Sequence, residues 1–186
     1  MSSPRGTKAG RWFSGWVERN GEELDGLRAA VAVTHGFSLW PVRLPDNPRE
    51  ARACVSCLVA WWVASLGGSL ECLPIDRNGG MVAAFYALSQ MCGEPVGDLT
   101  PGRQKMARMV EGRPLTPGDG AIVYHCGGGF QPGWSEFLSA VNRSRDIYHA
   151  KLGAPLLWAG NSEMLEGSWG AVDFWSIRNL EVRLVA

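Results

Sequence analysis

From residue 37 to the end, the chain alternates between two hydrophobic rhythms. Short apolar runs at residues 37–44, 69–75, 121–125, 154–159 and 180–185 are bounded by turn residues, and these read as five strands. Between them, apolar residues recur every three or four positions, the spacing of a helix with one buried face. Such stretches lie at residues 49–66, 81–91 and 134–152, and an acid-bearing short helix follows Ser162. Two further helices, over residues 11–20 and 22–34, precede the first strand, and Gly21 separates them. Strand and helix in strict alternation imply parallel strands joined by right-handed crossovers, hence a three-layer α/β sandwich.

Local chemistry marks several boundaries. Pro45-Asp46-Asn47-Pro48 places a helix N-cap and a proline at the first helical position before residue 49. Gly67-Gly68 and Gly153 end helices, and Thr116-Pro117-Gly118-Asp119-Gly120 is a turn cluster ahead of the third strand. Pro41 inside the first strand predicts an edge position or a bulge, because proline cannot donate to a ladder. The helix over residues 49–66 is apolar around most of its circumference and should be packed on two sides. The two N-terminal helices should lie against a sheet edge. Residues 98–112 read as a more polar helix, and Arg103, Lys105, Arg108 and Arg113 make it locally basic.

Composition narrows the class. With 186 residues and 46% hydrophobic content, the chain can bury one core, so residues 11–186 are expected to form a single α/β domain after a disordered segment over residues 1–10. Eighteen basic residues balance eighteen acidic ones. That removes any global attraction for nucleic acid or an anionic membrane, and the expected partner is another protein rather than nucleic acid or a lipid surface. The sequence has no apolar run of membrane-spanning length and five cysteines scattered through apolar segments, which favours a reducing, cytoplasmic setting.

In parallel α/β sheets, ligands lie beyond the carboxyl ends of the strands. The tips here are Pro45-Asp46-Asn47, Asp76-Arg77-Asn78, His125-Cys126-Gly127 and Gly160-Asn161-Ser162, so Asp46, Asn47, His125 and Asn161 are the candidate ligand-binding residues. Glycines, a lysine and a hydroxyl after the first strand would make a phosphate-binding loop, and they are missing. The third strand ends in histidine where a magnesium-dependent NTPase would place an acid. His125 and Cys126 are adjacent on a strand and point to opposite faces, so they do not form a nucleophile and base pair. Cys54-Val55-Ser56-Cys57 has the spacing of half a zinc site but falls in an apolar helix with no second pair. No catalytic residue, metal or cofactor is therefore assigned.

The last third of the chain carries a resemblance. Asn142-Arg143-Ser144-Arg145-Asp146, the proline-started strand Ala154-Pro155-Leu156-Leu157-Trp158, and Val172-Asp173-Phe174-Trp175-Ser176 resemble a pattern in bacterial STAND-type, AAA-like regulatory proteins. Gly36-Phe37-Ser38-Leu39 and the Asp46-x-Pro48 spacing resemble the opening of that domain. The resemblance implies a P-loop/Rossmann-like α/β domain of signalling or antiviral defence assemblies, coupled to a larger effector or repeat-containing subunit. It departs from the pattern in lacking the phosphate-binding loop and in having Val172 where the pattern has proline. Independently of the family, Asn142 and Arg145 share a helix face. Arg145 is expected to pair with Asp173, and Trp158, Phe174 and Trp175 to fill the space between helices and sheet.

Two functions fit these residues. One is a non-catalytic adaptor that binds protein through exposed tryptophans, for which Trp12, Trp16 and Trp134 are the candidates. The other is a nucleotide-binding switch or enzyme with a polar pocket joining Asp46, His125 and Asn161. The adaptor is preferred.

Overall fold

The computed structural model of the chain describes residues 8–34, 36–93 and 113–186. The expected basic helix over residues 98–112, His35 and the first seven residues lie outside this set. Helices α1 (Lys8–Arg19) and α2 (Gly21–Val33) lead into β1 (Ser38–Arg43), α3 (Pro48–Leu66), β2 (Leu70–Pro74) and α4 (Gly80–Met91). After the undescribed segment come β3 (Gly120–Tyr124), α5 (Trp134–Arg143), α6 (Arg145–Lys151), β4 (Pro155–Gly160), α7 (Ser162–Ser168), α8 (Val172–Trp175) and β5 (Val182–Arg183). The five strands form one all-parallel sheet in the order β2-β3-β4-β1-β5, a P-loop/Rossmann-like α/β architecture.

Alternation along each strand builds a core on each face of the sheet. Leu39, Leu73, Ala121, Val123, Leu156 and Trp158 face α4, α5 and the aromatic pair Phe174 and Trp175. Trp40, Val42, Leu70, Ile122, Leu157 and Ala159 face α3, with α1 and α2 completing that layer. The α3 helix is thus covered on two sides, by the sheet through Leu58 and Trp62 and by α1. The N-terminal helix pair covers the β5 edge. There Asn20, 2% exposed, donates to Val185 O at 3.0 Å and accepts from Val185 N at 2.8 Å, so one side-chain amide stands in for a ladder partner.

Pro41 does not mark an edge. The β1 strand is interior, paired with β4 along its whole length and with β5 at Val42 and Arg43. The Leu39 and Arg43 carbonyls bond Asn179 N and Leu184 N on the β5 side, whereas Leu44 N bonds Gly160 O on the β4 side. Backbone polarity alternates along a strand, so the N–H that Pro41 lacks would point at the β5 side, between the Leu39 and Arg43 bonds, where the ladder is only two residues long. The expected long helix over residues 134–152 is also divided. At Ser144 (φ −91°, ψ 2°) the backbone leaves helical geometry for one residue, and its N–H is shared between Ala140 O and Val141 O, both at 3.1 Å.

At the amino end of β2 and β3, the Thr116–Gly120 turn closes into a hydrogen-bonded knot around Asp119, 5% exposed. One carboxylate oxygen accepts from Ser69 N at 2.7 Å and Ser69 Oγ at 2.9 Å. The other accepts from Thr116 N at 2.8 Å, Thr116 Oγ1 at 2.6 Å and Arg113 Nη1 at 3.0 Å. The backbones touch here: a Cβ on Gly68 would lie 2.2 Å from Gly118 C. Among the described residues, no helix is long and apolar enough to cross a membrane.

Candidate functional site

The strand order fixes where a ligand would sit. From β1 the chain crosses through α3 towards β2, and from β4 it crosses through α7 and α8 to β5 on the opposite side, so the crevice at the carboxyl ends of β1 and β4 is the topological switch point. The residues that line this crevice are engaged with one another. Asn47 caps α3: its Oδ1 accepts from Arg49 N at 2.9 Å and Glu50 N at 3.3 Å, and its carbonyl accepts from Ala51 N at 2.9 Å. Pro48, first in the helix, has no N–H to offer. The amides that would otherwise face an anion are already bonded within the chain.

Opposite, Asn161 caps α7 by accepting from Met164 N at 3.0 Å. Gly160 lets this turn close against the sheet, since a Cβ there would lie 2.5 Å from Met164 Sδ. Arg43, last residue of β1, reaches the first residue of α7 and the residue before β5. Its guanidinium donates through Nε and Nη2 to Glu181 at 2.8 and 3.0 Å and through Nη1 to Ser162 Oγ. The bonds from Arg43 hold the Glu181 carboxyl below the usual carboxylate range, and those to Glu181 push Arg43 further up. Arg183 meets the same carboxylate at 2.9 Å.

The β3 tip is closed differently. His125 is 7% exposed, its N–H bonds Ala159 O at 2.9 Å, and its Nδ1 accepts from Gly127 N at 3.3 Å. Gly127-Gly128-Gly129 carries the chain across the strand ends until Phe130 rests on α7, where Gly167 makes room: a Cβ there would be 2.1 Å from Phe130 Cζ. Beneath this strap, His125, Asn161, Phe130 and Met164 line a dent with no room for a water-sized guest. Ligand pockets run at roughly 300–1,000 Å³. Of the four residues expected at a ligand site, His125 and Asn161 meet here, whereas Asp46 and Asn47 are exposed and do not line the depression. Cys126 faces the α3 core, where burial pushes its thiol up to about 12, far from a nucleophile's range. Among the described residues, no three His, Cys, Asp or Glu side chains gather to hold a metal.

The tryptophans expected on a surface divide. Trp12 is 42% exposed, but Trp16 is wholly buried between α1 and α3 because Phe13, Trp16 and Val17 make the inward arc of α1. Trp134 is also buried, stacked on Phe130 at 5.0 Å and packed beside Phe137 at 6.0 Å. The aromatic series continues from Phe137 to Trp158 and on to Phe174 and Trp175, as expected of a filled layer. Trp175 Nε1 donates to Ser168 O at 2.8 Å. The expected Arg145–Asp173 pair is replaced. Asn142 donates to Asp173 Oδ2 at 3.1 Å and accepts from Phe174 N at 3.0 Å, while Arg145 turns to its neighbour Asp146. Asn142 is one turn closer to α8, and the amide both donates and accepts, which a guanidinium cannot.

Arg43, Glu181, Ser162 and Asp119 were not singled out by sequence reasoning. Arg43 and Glu181 lie far apart in the chain, and only strand order brings them together. Asp119, between two glycines ahead of a strand, carried a local signal of a tied turn.

No family model matches the chain, and no curated protein does. Among solved structures, an Aeropyrum pernix Orc1 protein in complex with DNA is similar over 89% of this chain, with 14% sequence identity and a TM-score of 0.42. The chain spans 44% of that protein's length. The expectation that nucleic acid is not a partner is withdrawn, because this neighbour was solved on DNA.

Proposed function

We propose that the chain is a non-catalytic adaptor or regulatory module on a degenerate NTPase-like fold. The observation that carries this reading is the self-satisfied switch point: Asn47 bonds the α3 amides, and Arg43 is spent on Glu181 and Ser162. A phosphate entering there would have to break bonds that already neutralise the site. The STAND-type pattern supports a setting in bacterial signalling or defence, and its Asn142 and Asp173 act as a clasp between α5 and α8. Work in such an assembly is done by contact with a larger partner, and DNA stands beside protein as a candidate for that partner.

The test is affinity capture of the intact protein from its native lysate, with mass spectrometry of bound proteins, nucleic acid and released nucleotide. A stoichiometric macromolecular partner without nucleotide is the expected outcome. A co-purifying nucleotide as the sole companion would overturn the reading in favour of a nucleotide-binding switch at His125 and Asn161.

A further inference from the structure

An apolar opening lies between α4 and α5, closed at one end by the Asn78-Gly79 turn that follows β2. It is an open-sided groove of about 610 Å³, walled by Val82, Phe85 and Tyr86 from α4 and by Phe137 and Ala140 from α5. Val82, Phe85 and Ala140 are only partly covered, and Phe137 anchors the floor to the core. Among the described residues, Glu136, exposed on the first turn of α5, is the one charged residue lining it. The two walls are helices of 12 and 10 residues, about 15–18 Å long at 1.5 Å per residue.

We infer that this groove docks a short amphipathic helix of a partner protein, its apolar stripe against Val82, Phe85 and Ala140 and a lysine or arginine at the Glu136 end. This rests on the adaptor reading and supplies the partner's chemistry. Three points carry it. The groove is a trough bounded by two helices on one sheet face, and its length suits about three turns of a third helix with anchors at i, i+3/i+4 and i+7. Its lining is apolar apart from a few polar groups, so an occupant gains by burial. The charged residue among its described lining, Glu136, is negative, so the complementary occupant is basic at one end.

The test uses the whole chain and a fluorescein-labelled 14-residue helical peptide of leucine and lysine, with a leucine and glutamate peptide of identical apolar stripe as counterpart. By fluorescence anisotropy, the lysine peptide should bind at least tenfold more tightly than the glutamate one. Ala140→Arg should weaken it at least tenfold, Glu136→Lys should reverse the preference, and Asp25→Asn, on α2 in the other helical layer, should change neither. Val82→Arg repeats the block from the other wall, and circular dichroism establishes that each variant is folded. Equal binding of the two peptides, or undiminished binding to folded Ala140→Arg and Val82→Arg, would overturn the groove. Concentration-dependent self-association abolished by Ala140→Arg would assign the groove to a second copy and overturn the partner helix. Should the captured partner be retained by both variants, the adaptor reading stands and this groove falls.

Discussion

Replacing Asp119 with asparagine should be among the most damaging polar substitutions in the chain. Its carboxylate takes five hydrogen bonds from Ser69, Thr116 and Arg113 while 5% exposed. An amide in that place must turn its NH₂ towards either the Ser69 side, where a backbone N–H already points, or the Thr116 side, where three donors do. The milder orientation loses two charge-assisted bonds at roughly 1.5–3 kcal/mol each, so about 3–6 kcal/mol in all. For a chain of this size, about 2–4 °C per kcal/mol then lowers Tm by roughly 6–24 °C. Burial alone would raise the Asp119 pKa, but bonds from Arg113, Thr116 and Ser69 outweigh it and hold the carboxyl far below the usual carboxylate range. The native pKa is depressed, so this stabilisation is full above the unfolded value of about 3.9 and is lost as pH falls below it. Thermal unfolding followed by circular dichroism between pH 7 and pH 3 should show wild type and Asp119→Asn far apart at neutral pH and converging below about pH 4. Asp25→Asn, which breaks an exposed pair with Arg28 at 2.8 Å, should move stability by less than about 0.5 kcal/mol. A Tm for Asp119→Asn within 2 °C of wild type, or a gap that does not narrow in acid, would refute the role given to this knot.

Three further outcomes follow from named contacts. Asn142→Ala should cost about 1–2 kcal/mol in urea unfolding, since it orphans Phe174 N and Asp173, whereas Arg145→Ala should cost under about 0.5 kcal/mol; the reverse order would restore the arginine as the clasp. Gly160→Ala should destabilise by about 1–3 kcal/mol in the same assay, because the added methyl overlaps Met164, and a neutral result would mean that α7 is free to shift. In native protein at pH 8, iodoacetamide should modify the exposed Cys72 and leave Cys126 unmodified, because the Cys126 thiol is buried and pushed up to about 12; rapid labelling of Cys126 read by peptide mass spectrometry would contradict its burial against α3.

Much of the architecture was legible because period-2 and period-3.6 patterns report burial directly. The five strands, the Asn47 cap with Pro48 behind it, and the two-sided burial of α3 all follow from local residues. Partner choice was less legible. Pro41 sits in an interior strand because β5 is short, and Asn142 rather than Arg145 meets Asp173 because one turn of helix separates their reach. Periodicity runs unbroken through Ser144, so the single-residue break between α5 and α6 left no mark on the pattern. The burial of Trp16 and Trp134 depends on rings from elsewhere in the chain, and composition does not report it. At the strand tips, two of the four candidates, His125 and Asn161, line one dent and Asp46 and Asn47 do not, while the Arg43–Glu181 pair beside them joins residues 138 positions apart.

The most direct test of the closed switch point is titration of nucleotide-free protein with Mg·ATP and Mg·GTP, read by isothermal calorimetry and by Tm. At a hundredfold excess over Kd, a bound nucleotide would add about 2.7 kcal/mol of stability, several degrees in Tm. A closed switch point gives no saturable heat and no shift at millimolar nucleotide. Saturable binding that Asn161→Ala or Arg43→Ala weakens at least tenfold would contradict it and return the crevice to nucleotide recognition.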